Sequence, residues 1–281
     1  MKSKKNKLYS YILTFLFVST LLVGQIKAAK YENYFGIEMT NEQYNNLLEL
    51  GFSEEEIHYM DEQTFTENKD TLATLVGRTE KYYKSVYTDL NGNSYSTEVS
   101  AEEYENQSSI QTRGYVETEY KKVVSSISQL DNQFRYKVTT SWKLMPSVRS
   151  YDIIGVGHVD PVYIPTAVNF YYTYCIQSGD CITDGTYYYK QKTGSGGTAV
   201  YKFPSNARSM TAVLYYDVSK NTTNTITSLE ICGDYAHATT SVDSSDYRNH
   251  GIDIDGILLT YSTSNYYDAI PCAVTSWGGS W

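Results

Sequence analysis

Residues 114–145 read GYVETEYKKVVSSISQLDNQFRYKVTTSWKLM. Valine, threonine, isoleucine and aromatic residues recur in both halves, and Asp131 and Asn132 separate them. The β-branched and aromatic residues favour extended strands, whereas aspartate and asparagine favour tight turns. The stretch therefore predicts a long β-hairpin, and Pro146 ends it because proline cannot donate to a sheet ladder.

The chain beyond residue 76 continues this pattern. Strand-like runs flank Asn91-Gly92, a dipeptide that is a strong hairpin signal. Turn residues separate the later runs at roughly regular spacing, which is typical of a sandwich or barrel. We expect these later strands at 149–159, 162–176, 185–192, 198–203, 210–218, 225–232, 251–261 and 269–277, with a flexible tip at 194–197. The sequence thus predicts a mainly β protein, with a Greek-key-like β-sandwich domain over residues 77–281.

A different pattern precedes the strands, over residues 29–76. Thr40 and Gln43 have the spacing of a capping box, and so do Ser53 and Glu56, so each pair predicts the start of a short helix. Gly51 suits the left-handed residue that ends the first helix. Asp61 is expected to start a third helix. The apolar residues form a set too small for an independent core and should pack on another element: Leu47, Leu48, Leu50, Phe52, Ile57, Met60 and Phe65.

The N-terminus carries the three parts of a secretory signal peptide over residues 1–28. Lysines at 2, 4, 5 and 7 precede an apolar stretch, and Ala28 is the expected last residue removed. The apolar stretch is shorter than the roughly 20 residues of a membrane span. We therefore expect a secreted, extracellular protein with no membrane association after the signal is removed.

The charge of the mature chain excludes some partners. Five of the 23 basic residues leave with the signal and none of the 32 acidic ones does, so the net charge falls to −14. We expect no nucleic-acid partner, because phosphate binding needs concentrated positive charge. The negative charge is densest in the helical segment at 29–76, which supports two modules.

The run FGIEMTNEQYNNLLELGFSEEEI at 35–57 resembles the start of exported proteins of low-GC Gram-positive bacteria. The shorter runs SWKLMP at 141–146 and RSYD at 149–152 are similar to the same group. This resemblance implies export and an acidic helical segment after the signal. It implies no activity and no catalytic residues.

Four cysteines suggest two disulfides in an exported chain. We favour Cys175–Cys181, which would close a short loop over Gly179, and Cys232–Cys272, which would join two late strands. The other pairings and free thiols remain open. The spacings match no zinc motif, and neither a metal nor a cofactor is expected.

Tyrosine outnumbers phenylalanine by 30 to 8, which suits partly exposed strands. Because neighbouring strand residues point to opposite faces, one tyrosine of each adjacent pair should be exposed. Aromatic rings on one open face could stack on sugars or peptides. The candidate ligand-binding residues are Tyr171, Tyr188, Tyr216 and Trp277.

The sequence gives less support to a catalytic site or a metal site than to a binding surface. Cys232 with His237 could form a nucleophilic pair, and His158 with Asp160 could form a catalytic couple, but structural roles fit each better. The carboxylates of Asp243, Asp246, Asp253 and Asp255 are close in sequence but do not follow the calcium-loop template.

The sequence accordingly favours a secreted, non-catalytic binding or surface-interaction protein whose ligand is a carbohydrate or a protein. The alternative is a secreted hydrolase that acts on envelope or host polymers. A pore-forming hairpin at 114–145 is a third option, but Lys121 and Lys122 break the alternation that a lipid-facing strand needs.

The signal-peptide prediction has a direct test. If the chain is expressed in a Gram-positive secretion host, N-terminal sequencing of the secreted protein should begin at Ala29. Retention in the membrane fraction with Met1 intact would show that the apolar stretch is an anchor.

Overall fold

The computed structural model describes residues 30–87, 94–106, 117–242, 253–255, 258–260 and 267–281. Most of these residues lie in β-strands, and two antiparallel sheets stack face to face, so the expected β-sandwich is confirmed. The predicted signal peptide and the predicted turn at Asn91-Gly92 lie outside the described residues. None of the helices in the described ranges is long and apolar enough to cross a bilayer.

The strands are, in chain order, β1 (Lys30–Glu32), β2 (Glu38–Thr40), β3 (Thr74–Tyr87), β4 (Ser94–Val99), β5 (Glu117–Gln129), β6 (Phe134–Leu144), β7 (Tyr151–His158), β8 (Val162–Tyr163), β9 (Asn169–Cys175), β10 (Cys181–Asp184), β11 (Tyr189–Thr193), β12 (Gly196–Lys202), β13 (Ser209–Lys220), β14 (Ser228–Ala238), β15 (Asp253–Asp255), β16 (Leu258–Thr260) and β17 (Tyr267–Gly278). The helices are α1 (Asn41–Glu49), α2 (Glu54–His58), α3 (Glu62–Asn68) and α4 (Ala101–Glu105).

The predicted long hairpin is confirmed as β5 and β6. Gln129 pairs with Phe134, and Ser125 pairs with Val138, so the turn falls at Asp131 and Asn132 as expected. The backbone N–H of Leu130 donates to Gln133 O at 2.9 Å and closes the turn. This hairpin lies inside the larger sheet, whose strands run in the order β10-β9-β13-β6-β5-β3-β4, and β8 pairs with the end of β13.

The smaller sheet has the order β11-β12-β7-β14-β17. The chain crosses between the two sheets after β6, β7, β10, β12 and β13. Because of these crossings, several strands that are neighbours in a sheet are distant in sequence. Aromatic and aliphatic side chains from the facing sides of both sheets form the main core. Within that core Tyr172 stacks on Tyr201 with ring centroids 5.4 Å apart, which joins β9 to β12.

An ion pair crosses this core. The Lys121 ammonium on β5 donates to the Asp268 carboxylate on β17 at 2.7 Å, and both side chains are buried. Hydroxyls of Ser85 and Ser96 donate to the same carboxylate oxygen. Burial alone would raise the pKa of Asp268, but the Lys121 charge and these hydrogen bonds outweigh it and lower that pKa. One oxygen of this carboxylate therefore accepts three hydrogen bonds, which compensate for the burial of its charge.

Some predicted strand limits were wrong for physical reasons. The stretch 162–176 breaks into β8 and β9 because Pro165 lies between them. Gly196 and Gly197, expected in a flexible tip, pair with both neighbouring strands. A Cβ at Gly196 would lie 2.4 Å from Val156 O, so glycine here permits close strand contact rather than mobility.

The three helices of this segment begin at the residues that the sequence predicted, but β3 already starts at Thr74, within the stretch expected to be helical. Thr40 and Ser53 accept from the N–H groups of Gln43 and Glu56, and both capping boxes are complete. Asp61 caps α3. The segment also contains the small β1–β2 sheet, which the sequence analysis missed.

The helical segment packs on the outer face of the larger sheet. Its apolar side chains form a second core with Tyr171, Val213 and Tyr215 of the sheet, which supplies the support that the small set was expected to need. Gly51 has a φ of +85°, and a Cβ there would lie 2.5 Å from Ser126 Oγ. Glycine is thus needed both to end α1 and to let the segment approach the sheet.

A buried ion pair fixes this contact. The Lys137 ammonium on β6 lies 2.7 Å from the Glu56 carboxylate on α2, and both side chains are about 2% exposed. Thr139 Oγ1 donates to the same carboxylate at 2.9 Å, and Lys137 donates to Gly51 O at 2.9 Å. Burial raises the pKa of Glu56, but Lys137 and the hydrogen bonds lower it further, so that the net pKa lies below its ordinary value of 4.5.

We predict that Glu56→Gln destabilises the protein by about 3 kcal/mol at pH 7, because it leaves the Lys137 charge buried without its counter-ion. The neighbouring variant Glu55→Gln, on an exposed position of the same helix turn, should cost only about 0.5 kcal/mol. Urea denaturation of both variants measures the difference. An equal loss of unfolding free energy in the two variants would mean that the buried ion pair does not stabilise the fold more than an exposed carboxylate does.

The same pair predicts a pH dependence. A carboxyl whose pKa is lowered by folding stabilises the protein above its unfolded pKa, and this stability is lost as the pH falls through the folded pKa. The melting temperature, measured between pH 7 and pH 3, should therefore fall more steeply below pH 4.5 for the wild type than for Glu56→Gln. Parallel curves for the two proteins would contradict this assignment.

Candidate functional site

Two of the four predicted ligand-binding residues are buried, so the expected aromatic surface does not include them. Tyr171 is 6% exposed and packs under the helical segment. Tyr216 is fully buried and donates from its hydroxyl to Val156 O at 3.1 Å. The rule of one exposed tyrosine per pair fails at Tyr171-Tyr172, because the helical segment covers one face of the sheet and the main core covers the other.

The other two predicted residues reach the surface in different ways. Tyr188 is 46% exposed, and its ring meets Tyr151 edge-on at 5.5 Å. Trp277 is half-buried and packs against Phe134 with ring centroids 4.8 Å apart. Trp281 contacts the same phenylalanine at 4.8 Å, so the tryptophans cover one end of the core. The four predicted residues are not brought together.

The predicted disulfide between Cys175 and Cys181 is present. It joins neighbouring ends of β9 and β10 and closes the loop at 176–180, in which Gly179 has a φ of +94°. We call residues 176–180 the disulfide loop. Cys232 is also disulfide-bonded. The side chain of its predicted partner, Cys272, lies outside the described part of the structure.

The candidate catalytic histidines are packed in the core. His237 lies with Nδ1 3.0 Å from the Asp152 carboxylate, and both side chains are fully buried. His158 Nδ1 lies 3.0 Å from the Tyr216 hydroxyl, and burial lowers the pKa of His158 to about 4. Asp160, predicted on the same face as His158, instead accepts from Glu230 N at 2.9 Å.

The metal-binding candidates are only partly described. Asp243 and Asp246 lie outside the described residues, and Asp253 and Asp255 are described as the backbone of β15. Among the residues that the structure describes, no group of three or more His, Cys, Asp or Glu could hold a metal ion.

An open basin lies at one end of the sandwich, where three connections meet. The first follows β6, the second is the start of the disulfide loop after β9, and the third joins β12 to β13. The basin has a volume of about 770 Å³, within the range of roughly 300–1,000 Å³ of small-ligand sites. It is lined by Pro146, Ser147, Arg149, Ile176, Gln177, Ser178, Ser205, Asn206, Ala207 and Arg208, and we call it the arginine basin.

Both arginines are held by backbone or amide oxygens. Arg149 Nε donates to Pro146 O at 3.2 Å, and its Nη1 donates to Ser205 O. Arg208 Nη2 donates to Gln177 Oε1 at 2.8 Å, which ties it to the disulfide loop. Each guanidinium carries five N–H donors, so these contacts leave donors for a ligand.

Both charged side chains that line the basin are positive, although the protein has an acidic net charge. Burial, and then the nearby Arg208, lower the pKa of Arg149, so the two guanidinium groups are close enough to repel each other. None of the described residues that line the basin is acidic. Two carboxylates adjoin the basin through bonds to its lining serines: Asp180 accepts from Ser178 Oγ at 2.6 Å, and Glu119 accepts from Ser147 N at 3.2 Å. An anion in the basin would relieve the repulsion.

The sequence analysis missed the arginine basin. Arg149 and Arg208 are 59 positions apart in sequence, and only the meeting of two crossover connections brings them together. The sequence offers only a weak signal for them: each arginine lies in a connection between strands of an acidic chain and precedes a serine. Loops carry binding residues more often than the elements they connect.

Comparison with known proteins gives distant structural likenesses. No protein-family model matches the chain, and no curated protein gives a significant match. The collagen-binding domain of the Erysipelothrix rhusiopathiae surface protein RspB matches with a TM-score of 0.29 and 9% identity, over 57% of this chain and 66% of that chain. The chain thus spans just under two thirds of that domain. A structure concerning Streptococcus parasanguinis adhesion by Fap1 fimbriae matches with a TM-score of 0.30 and 12% identity, over 74% of this chain and 95% of that chain.

We predict that Trp277→Ala acts on stability, since its ring covers Phe134 at the end of the core. The loss should be about 2 kcal/mol, below the cost for a fully buried tryptophan. Tyr188→Ala, on an exposed ring, should change stability by no more than about 0.5 kcal/mol. Chemical denaturation distinguishes them, and an unchanged midpoint for Trp277→Ala would show that the tryptophan is not a packing residue.

Proposed function

We propose that the protein is a secreted, non-catalytic binding protein that holds an anionic carbohydrate in the arginine basin. The observation that carries the proposal is the pair Arg149 and Arg208, placed in one open basin without an acidic partner among its described lining residues. A guanidinium binds a carboxylate or sulfate through two parallel hydrogen bonds, which a lysine cannot do.

The remaining lining suits a sugar. Ser147, Ser178 and Ser205 offer hydroxyls, and Gln177 and Asn206 offer amides, all of them exposed at the surface. Such groups both donate and accept hydrogen bonds, as sugar hydroxyls do. The described lining holds neither a carboxylate nor an imidazole, the groups that general acid–base hydrolysis uses. A binding role therefore fits this basin better than the hydrolase alternative.

The location of the site also fits presentation to a ligand outside the cell. The basin is built from loops at one end of a rigid sandwich, a common place for recognition sites. The disulfide between Cys175 and Cys181 braces one of those loops, and disulfides persist in oxidising surroundings. Export through the N-terminal signal would bring the protein to such surroundings.

The test is a glycan array probed with the mature protein, with neutral glycans and with sialylated, uronate-containing and sulfated glycans. We expect binding to acidic glycans that weakens with added salt, because salt screens exposed charges. Arg149→Ala and Arg208→Ala should each weaken binding by at least about tenfold, since each removes a charge-assisted hydrogen-bond donor.

A matched control is Lys81→Ala. It removes one positive charge from β3, near the opposite edge of the larger sheet, where Lys81 pairs with an exposed Glu98. It should bind acidic glycans like the wild type. Equal binding of neutral and acidic glycans, or arginine variants that bind as well as the wild type, would overturn the proposal.

A further inference from the structure

A second surface feature lies against the disulfide loop. The turn between β1 and β2 carries Tyr34 and Phe35 at its tip, where the two side chains are 41% and 40% exposed. Their rings meet edge-on with centroids 5.2 Å apart. We call this pair the aromatic tip. Tyr34 also packs on Tyr59 with ring centroids 5.4 Å apart, so Phe35 is the less supported ring of the pair.

The aromatic tip is held rigidly from below. The side-chain oxygen of buried Asn33 accepts from the N–H groups of Phe35 and Ile37, each at 3.0 Å. Its amide nitrogen donates to Met60 O at 2.7 Å, which anchors the turn to the helical segment. Gly36 has a φ of +78°, the left-handed conformation that this turn requires. A turn fixed in this way loses little entropy when a ligand binds.

The aromatic tip and the arginine basin lie on the same loop. The Tyr34 hydroxyl donates to Gly179 O at 3.3 Å and accepts from Cys181 N at 3.2 Å. Ser178, the residue before Gly179, lines the arginine basin. The disulfide loop is therefore contacted by the aromatic tip at one end and forms a wall of the basin at the other.

We propose that Phe35 of the aromatic tip is a second subsite for the ligand of the arginine basin, where its ring stacks on a sugar ring next to the acidic sugar. The ligand class is thus an acidic oligosaccharide that reaches across the disulfide loop, rather than an isolated acidic monosaccharide. This inference rests on the proposed function. The apolar face of a sugar ring packs on an aromatic face, while its hydroxyls stay in water.

The experiment compares two ligand lengths. Binding of sialyllactose and a hyaluronan tetrasaccharide is measured by calorimetry beside binding of free sialic acid and glucuronic acid. Phe35→Ala should weaken binding by about threefold to tenfold for whichever of the two oligosaccharides binds the wild type more tightly, since one stacking contact is lost. Its affinity for the free acid sugar should stay within about twofold of the wild type.

Two further variants separate stacking from bracing. Tyr34→Phe keeps the ring but removes the hydroxyl that contacts Gly179 and Cys181, so oligosaccharide affinity should stay within about twofold of the wild type. Tyr163→Ala removes a ring that is 47% exposed on β8, apart from the disulfide loop, and should have no effect. Thermal melting confirms that each variant is folded.

The outcomes distinguish the two proposals. If the arginine variants lose binding but Phe35→Ala binds the oligosaccharide like the wild type, the second subsite is wrong and the proposed function stands. A loss for Tyr34→Phe equal to that for Phe35→Ala would also overturn the subsite, because it would identify loop bracing as the cause. If neither oligosaccharide nor free acid binds the wild type, both proposals fail.

Discussion

The buried Glu56–Lys137 ion pair joins α2 of the helical segment to β6, and beside it the segment packs on the outer face of the larger sheet through a second core. The pair is almost inaccessible to water and is enclosed by hydrogen bonds from Thr139 and to Gly51. Burying two charges is costly unless each is fully partnered. A docking position that separated α2 from β6 would leave both charges buried without a partner.

This docking sets the position of the surface features. With the helical segment fixed on the sheet, the β1–β2 turn meets the disulfide loop, and the Tyr34 hydroxyl contacts Gly179. The same loop contributes Gln177 to the arginine basin, where it holds Arg208. The helical segment, expected to be a separate module, thus shares a core with the sheet and contacts the loop that borders the basin.

The sequence predicted well what depends on local chemistry. Both capping boxes, the left-handed Gly51, the long β5–β6 hairpin and the Cys175–Cys181 bridge involve residues close together in the chain, and the structure contains all of them. Features that depend on distant segments could not be predicted in this way. Alternation along one strand indicates two faces, but it does not show that the helical segment covers the outer face, so Tyr171 was expected at the surface. Likewise, Arg149 and Arg208 become neighbours only through crossovers between sheets.

The disulfide loop has a consequence for when the protein can act. Its bridge connects the ends of β9 and β10, and the loop between them borders both proposed subsites. Thiols of newly made chains stay reduced in the cytosol, where glutathione and thioredoxin act. On the proposed function, a chain that has not yet left the cell would carry an unbraced loop and an incomplete ligand site. On that proposal, maturation of binding would coincide with oxidation, and the unoxidised chain would not bind the cell's own acidic sugars during synthesis.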